Sequence, residues 1–556
     1  MQSDYDIMKW KVDRLAVSLS RRVPREGLTL ARISFYPWQQ WAFDAIRGRS
    51  AVLSAPTGSG KTMVAYLWAG LLGEDGLPVL PDGGRIIFTA PIKALSNERY
   101  LDLRRLGLDV GIETGDFKKN EDARIVCCTQ EIYTLKYARV PGQKLIVDEF
   151  HYIFDDPDRA RAYIDGIRNA DESTMMLVMS ATLGGARSVC RYLERTTGRP
   201  FLLYENKRRE TELIFVSERP ARIDTVKNAL VFLFSQKGAT ELAYMVAGER
   251  EGISSHGRER LGELASILGV PKVQQPLYKG VGIYHGGMLP KEKILVESAF
   301  RERILDVVCG TNALALGVNL PAETVVFAQL VRYHSDSPIS KNEFLQMAGR
   351  AGRKGLFNPG FVTWLERSPF ERRGFSTGKV FEGLMNASPE SANILLRPSY
   401  GRLLRKEVIP EAEAEYIALY SLPRQSERRI KSQVHAGLKR IDRAMSGMVR
   451  DDERKAFRRT LSALWYDEME IEENLEMAFL FHTESAPSAL MAAQSILPFE
   501  RNYLQALLKV KRFANRMPKN YSFRSMRELN SAVDDIDPTI YGFEERIGEI
   551  ERTSGA

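Results

Sequence analysis

No run of about 18 consecutive apolar residues occurs in this chain of 556, so no membrane-spanning helix is expected. The first residues, Met1-Gln2-Ser3-Asp4-Tyr5-Asp6, lack the basic start and apolar stretch of a secretory leader. Cysteine is scarce. Cys127, Cys128, Cys190 and Cys309 show no metal-ligand spacing, and adjacent Cys127 and Cys128 sit in an apolar run and read as core. These features point to a reducing cytoplasm. Low-complexity tracts are absent, which argues against a disordered linker protein.

What is present is ordinary in bulk. An apolar fraction of 44% suits a globular protein with buried cores, and the length suggests about three to four domains. The net charge of +8 favours a polyanionic partner such as nucleic acid, but only mildly. Charge alone does not separate that reading from a merely basic surface.

The first half repeats one unit: a short apolar run, a turn of small or polar residues, then a helix-like stretch. The runs are Ala51–Ser54, Ile86–Ala90, Ile125–Thr129, Leu145–Asp148 and Leu177–Ser180. Such runs, alternating with helical spacing, predict a parallel sheet covered on both faces. A second set follows at Leu230–Phe234, Val281–Tyr284, Val307–Gly310, Val325–Phe327 and Phe361–Trp364. The expected fold is α/β, with two tandem parallel-sheet domains meeting near Tyr204–Arg219 and a mostly helical C-terminal region. The corresponding spans are an N-terminal extension at 1–34, domains at 35–205 and 206–392, and the helical region at 393–556. In that region Ile430, Val434, Leu438, Ile441 and Met445 step by three and four, giving one apolar helix face. Arg428, Arg429, Lys431, Lys439, Arg440 and Arg443 fall on the other face.

Candidate motifs follow the apolar runs, where open α/β sheets bind ligands. After Ala51–Ser54 comes Ala55-Pro56-Thr57-Gly58-Ser59-Gly60-Lys61-Thr62, with Ala55 where glycine is common. Glycines let backbone N–H groups curl around phosphate oxygens. Lys61 is placed to reach the β- and γ-phosphates and Thr62 to bind Mg²⁺. Asp148 and Glu149 end another run. Asp148 is expected to hold Mg²⁺, and Glu149 to orient and deprotonate water. His151, one of six histidines, is read as a coupling residue. Arg350 and Arg353 lie three apart, so on a helix they share a face with Gln346. Their guanidinium groups suit a phosphoryl group gaining charge.

The set resembles a superfamily 2 helicase of the DExH class. Residues 55–62 match motif I, Asp148-Glu149-Phe150-His151 motif II, Ser180-Ala181-Thr182 motif III, 310–321 motif V and 346–353 motif VI. Pro37-Trp38-Gln39 resembles the adenine-reading glutamine motif. The resemblance implies RecA-like domains and ATP with Mg²⁺ as cofactors. It also implies nucleotide contacts by Gln39, Thr57, Gly58, Ser59, Gly60, Gly317, Asn319 and Gln346, and coupling by Ser180 and Thr182. A finer resemblance is to the Ski-like subfamily, carried by Pro91-Ile92-Lys93-Ala94-Leu95-Ser96-Asn97, Thr114-Gly115-Asp116, His285-Gly286-Gly287-Met288-Leu289-Pro290 and Gly317-Val318-Asn319-Leu320-Pro321. Leu396-Arg397-Pro398-Ser399-Tyr400-Gly401 is similar to the lead-in to the winged helix of its RNA-processing members. A winged helix plus helical bundle is therefore expected. The chain is shorter than the larger members and has no room for their arch insertion.

That resemblance implies 3′-to-5′ movement on single-stranded or partly duplex nucleic acid, with RNA favoured and DNA the rival. An ATP-switched clamp or a motor subunit that does not unwind is the alternative from another class. Strand contacts are carried over to Pro91, Lys93, Thr114, Gly115, Thr129, Ser235, Lys237, His285, Gly286 and Thr311. Residues 329–342, with Arg332, Tyr333 and His334, match the place of a strand-separating hairpin, with Ser337-Pro338 at its tip; a plain loop is the equal alternative. The bases and aromatics from Tyr503 to Arg524 read as a solvated face over a core.

Overall fold

The computed structural model describes residues 33–483, except 82, 115–117, 155–156, 182–183, 317–319, 321, 333–336, 353–356, 447–449, 466 and 468, together with 549–550 and 552–553. Most of the N-terminal extension and the stretch from Tyr503 to Arg524 lie outside these residues.

The first sheet contains β1 (Ala51–Ser54), β2 (Ile86–Ala90), β3 (Val110–Glu113), β4 (Lys118–Lys119), β5 (Ile125–Thr129), β6 (Lys144–Val147), β7 (Met175–Ser180) and β8 (Leu202–Glu205). Their order is β4-β3-β5-β2-β6-β7-β1-β8, parallel except for β4 against β3. The period of two in a strand divides the apolar runs between two cores. Val52, Ile87, Val126, Leu145 and Val178 point into one. Leu53, Phe88, Cys127, Ile146 and Leu177 point into the other. Two buried faces explain why these strands read as continuous apolar runs.

The second sheet contains β9 (Leu213–Phe215), β10 (Ala229–Phe232), β11 (Val281–Tyr284), β12 (Val307–Gly310), β13 (Thr324–Phe327) and β14 (Gly360–Trp364). It is parallel throughout, in the order β11-β12-β10-β13-β14-β9. Each sheet carries its motifs at the carboxyl ends of its strands.

Beyond β14 the described elements are helices, among them Tyr400–Leu404, Pro410–Tyr420, Glu427–Ala444, Asp451–Leu464 and Ile471–Thr483. The helical part of the expectation is met. A β-wing is not seen among the described residues, where the pairing after residue 392 is the single bridge Ile394–Leu422. Helix Glu427–Ala444 buries Ile430, Val434 and Ile441, while its six basic residues stay exposed. Ile441, Phe457, Leu461, Trp465 and Leu475 form a small core of the helices' own. Ile394, Leu396, Ile417, Ile430 and Val434 complete the first sheet's Val52-side core.

Candidate nucleotide site and nucleic-acid interface

The phosphate loop leaves β1 and enters helix Lys61–Ala69. Gly58 and Gly60 take left-handed φ values of 78° and 87°, which glycine adopts without strain. A Cβ at Gly60 would lie 2.5 Å from Gln39 Nε2. Gln39 itself is buried. Its amide donates to Gly60 O at 3.0 Å and accepts from Tyr36 N at 2.8 Å. Lys61 Nζ is buried at the mouth of the loop, donating to Ala55 O at 3.1 Å. Ser59 Oγ is buried without a hydrogen-bond partner. Thr57 and Thr62 are half-buried.

Asp148 follows β6. Its Oδ2 accepts from Arg99 Nη2 at 3.0 Å, and its Oδ1 accepts from Glu149 N at 3.0 Å. Burial raises the Asp148 pKa and the Glu149 charge adds to this, while Arg99 and Lys61 oppose it. Glu149 has φ +49°, an uncommon conformation outside glycine and a mark of local strain. Burial alone would raise its pKa, but Lys61, His151, Arg350 and Arg99 hold it below the ordinary carboxylate value. Its Oε2 is buried without a hydrogen-bond donor, 3.4 Å from His151 Nδ1.

His151 joins the lobes. Nδ1 lies 3.2 Å from Ser180 Oγ and accepts from Ala181 N at 3.3 Å. Nε2 lies 3.2 Å from the Gln346 amide of the second lobe. Burial lowers the His151 pKa against the opposing pull of the Glu149 charge. Which ring nitrogen carries the proton follows from the tautomer, and the atom facing Nε2 is the Gln346 amide nitrogen.

Gln346 lies on helix Lys341–Ala348, but Arg350 does not, and here the helical-face expectation is corrected. The helix ends at Ala348 with Gly349 as its C-cap. Arg350 lies in the turn beyond, where Ala351 N bonds to Ala348 O and Gly352 N to Ala322 O. The chain leaves the helix because the bridge Ala322–Ala351 draws it alongside β13. Arg350 then turns toward motif V, donating Nε to Ala315 O at 3.0 Å. Gly349 packs against the phosphate loop, since a Cβ there would lie 3.0 Å from Thr57 Cβ. A cavity of about 200 Å³ lies in this seam, lined by Pro56, Thr57, His151, Arg209, Gln346 and Gly349 among others. Gly115, Thr182, Gly317, Asn319 and Arg353 lie outside the described residues.

The remaining expected residues gather on three adjacent strands in each sheet. Pro91 and Lys93 follow β2, Thr114 follows β3, and Thr129 ends β5. These strands are neighbours in register, with Ala90 opposite Thr129 and Glu113 opposite Cys128. In the second sheet Ser235, His285 and Thr311 follow β10, β11 and β12. Thr311 N bonds to Tyr284 O at 3.1 Å. Lys237 and Gly286 are exposed, whereas Thr114, Thr129 and Thr311 are each 7% exposed. Ser235 is a helix N-cap, accepting from Gly238 N at 2.8 Å. The hairpin region closes at its base through the antiparallel bridge Val331–Pro338 and Arg332 N to Ser337 O at 3.1 Å. Its Tyr333 and His334 lie outside the described residues.

Sequence reasoning missed Arg99 and Arg209. Arg99 reads as one more base on a helix surface. Arg209 sits in Lys207-Arg208-Arg209, a basic run whose sole signal is its place between the sheets.

Residues 36–189 match the DEAD/DEAH box helicase family, and residues 253–355 match the helicase conserved C-terminal domain. Both matches are to helicase domains, the first to the segment holding the phosphate loop and the second ending in motif VI. Among curated proteins, the chain is 27% identical over 433 residues to the probable helicase HelY of Mycobacterium tuberculosis (strain CDC 1551 / Oshkosh), covering 62% of this chain and 47% of that protein. It is 23% identical over 529 residues to the DExH-box ATP-dependent RNA helicase DExH9 of Arabidopsis thaliana, covering 79% and 51%. It is 26% identical over 392 residues to the ATP-dependent DNA helicase Hel308 of Methanocella arvoryzae (strain DSM 22066 / NBRC 105507 / MRE50), covering 62% and 51%. The chain therefore spans about half the length of these relatives.

Proposed function

We propose that the protein is an ATP-dependent helicase of the Ski-like type, moving 3′ to 5′ on single-stranded RNA. The observation that carries this reading is the seam between lobes, where His151 touches motif III on one side and Gln346 on the other. A change at the nucleotide thereby reaches both lobes through one ring. The strand-contacting role of the β2, β3 and β5 exits, with those of β10, β11 and β12, is supported by their adjacency in each sheet. Contacts made there to phosphate and sugar suit binding without sequence preference.

Lys61 and the loop amides hold the phosphates, Glu149 orients and accepts a proton from the attacking water, and Arg350 and Arg353 steady the developing charge. Thr62 and Asp148 offer the oxygen donors that suit Mg²⁺, which when bound offsets the phosphate charge. The preference for RNA rests on the resemblance of Leu396–Gly401 to RNA-processing members, and DNA is the rival substrate.

ATP hydrolysis with matched single-stranded RNA or DNA at fixed salt tests the reading, with Lys61→Ala as background. Stimulation by RNA and release of a strand from a 3′-tailed duplex are expected. Stimulation by DNA alone moves the protein to the DNA-acting members. Hydrolysis without strand release makes it a clamp or motor subunit.

A further inference from the structure

We propose that Arg209, on the segment joining the two sheets, binds the terminal phosphate of the nucleoside triphosphate. This rests on the phosphate-loop reading above and adds a contact from outside the helicase motifs. Residues 206–212 connect β8 of the first sheet to β9 of the second. From there Arg209 reaches into the seam. Its Nη2 donates to Gly349 O at 3.3 Å and to Ala351 O at 3.2 Å, on either side of Arg350. The same Nη2 lies 3.3 Å from where a Cβ on Gly58 would stand. The guanidinium therefore bridges motif VI and the phosphate loop.

Two further observations point to an anion. Nε of Arg209 is buried without a hydrogen-bond acceptor. Among the described residues no carboxylate forms an ion pair with Arg209, and burial pushes its pKa down to about 10 with no opposing charge. A partly buried cation without a counter-ion is unfavourable unless a ligand supplies the charge. The cavity it lines also carries Lys207, and among the described residues its wall has no acidic side chain. The loop amides cradle the inner phosphates, which leaves the outer end to a cation arriving from the second lobe's side. An arginine fork suits that phosphate geometry.

The test uses the full chain as wild type, Arg209→Met, Arg209→Lys and Lys61→Ala, titrated with fluorescent mant-ATP and mant-ADP at fixed salt. Arg209→Met keeps the apolar stem and should weaken mant-ATP by about tenfold, while mant-ADP changes by less than about twofold. Arg209→Lys, which keeps the charge and loses the fork, should fall between and guards against a folding defect in the methionine variant. Unchanged mant-ATP binding by both Arg209 variants, or equal loss of both nucleotides, overturns the assignment of Arg209 alone. Failure of the wild type to bind either nucleotide overturns the phosphate-loop reading and the Arg209 contact with it.

Discussion

Arg99 shows how one side chain can tie two parts of a site together. It lies on helix Lys93–Arg105, just beyond the expected strand contacts Pro91 and Lys93, and donates to Asp148 and to Tyr66 Oη at 3.0 Å each. Tyr66 in turn belongs to the helix that starts at the phosphate loop. Burial and the Glu149 charge raise the Asp148 pKa, and Arg99 is the foremost charge opposing that rise. Arg99→Ala should raise the Asp148 pKa further, and with it the acidic limb of the hydrolysis–pH profile; an unmoved limb would remove this role. Glu297 offers a second titration. Burial pushes its pKa up to about 7 from the ordinary 4.5, and Tyr284 Oη donates to it at 3.0 Å. Between these values the unfolded chain has lost the proton and the folded chain keeps it, so stability falls as pH rises. The stabilisation is full below about 4.5 and has gone above about 7, a change of about 3 kcal/mol at most. Glu297→Gln, a mimic of the protonated acid, should gain on the wild type in urea melts as pH rises from 5 to 8. Parallel stability curves would refute this. The motif residues Lys61, Asp148 and Glu149 were legible because each follows an apolar run in a set order. Arg99 and Glu297 were not legible, because their meaning comes from what the fold packs against them.

Elements were legible where burial is two-sided. β1, β2, β5, β6, β7, β11 and β12 read as apolar runs because both faces are covered. β3 (Val-Gly-Ile-Glu), the two-residue β4 and the half-buried β8 and β9 carry no such run and did not register. The end of the motif VI helix was also hidden, since Arg350 leaves the helix through pairing with residues 322 and 315, distant in sequence. The start of that helix is set by an equally distant residue. Lys341 N and Asn342 N donate to the Glu390 carboxylate at 2.5 and 2.9 Å, while Asn342 Nδ2 donates to Glu390 O at 3.2 Å. A carboxylate at a helix N-terminus satisfies free N–H groups and the helix dipole together. The next residue, Ser391, bridges to Gly184 beyond motif III, where a Cβ on Gly184 would lie 2.2 Å from Glu390 O. Segment 390–392 thus fastens the second lobe's Gln346-bearing helix to the first lobe. Glu390→Ala should lower unfolding free energy by about 2 kcal/mol, and Glu390→Gln by less, because the amide oxygen still accepts one bond. Ser340, the N-cap, also accepts from Glu343 N at 3.1 Å in a capping box, and equal stability of all three proteins in urea titration would show that this box caps the helix unaided.

At the scale of the molecule, helices Pro410–Tyr420 and Glu427–Ala444 extend the first lobe. Tyr416 Oη donates to Asp165 at 2.6 Å, Tyr192 Oη donates to Tyr420 O at 2.8 Å, and Arg168 lies over the Tyr416 and Tyr420 rings. Their shared core with β1, β2, β5, β6 and β7 means that opening the cleft moves the second lobe against a joint body. The helical pattern after residue 427 was visible in the sequence, but its docking surface was not, because Ile394, Ile417 and Val434 meet first-lobe side chains more than 200 residues away. One buried pair holds that junction. Arg161 on helix Pro157–Arg168 bonds to Glu413, whose carboxylate is 1% exposed and also receives Ser399 N at 2.8 Å. Removing one partner of a buried pair leaves the other charge without compensation, at a cost of about 3–5 kcal/mol. Arg161→Ala should lose stability of that order, and Arg161→Ala with Glu413→Gln should recover much of it. Hydrogen exchange gives the spatial readout. Protection should fall in both helix Pro157–Arg168 and helix Pro410–Tyr420 while β10 to β13 keep theirs. Loss confined to the C-terminal helices would mean that they unfold on their own and are carried by the first lobe without supporting it.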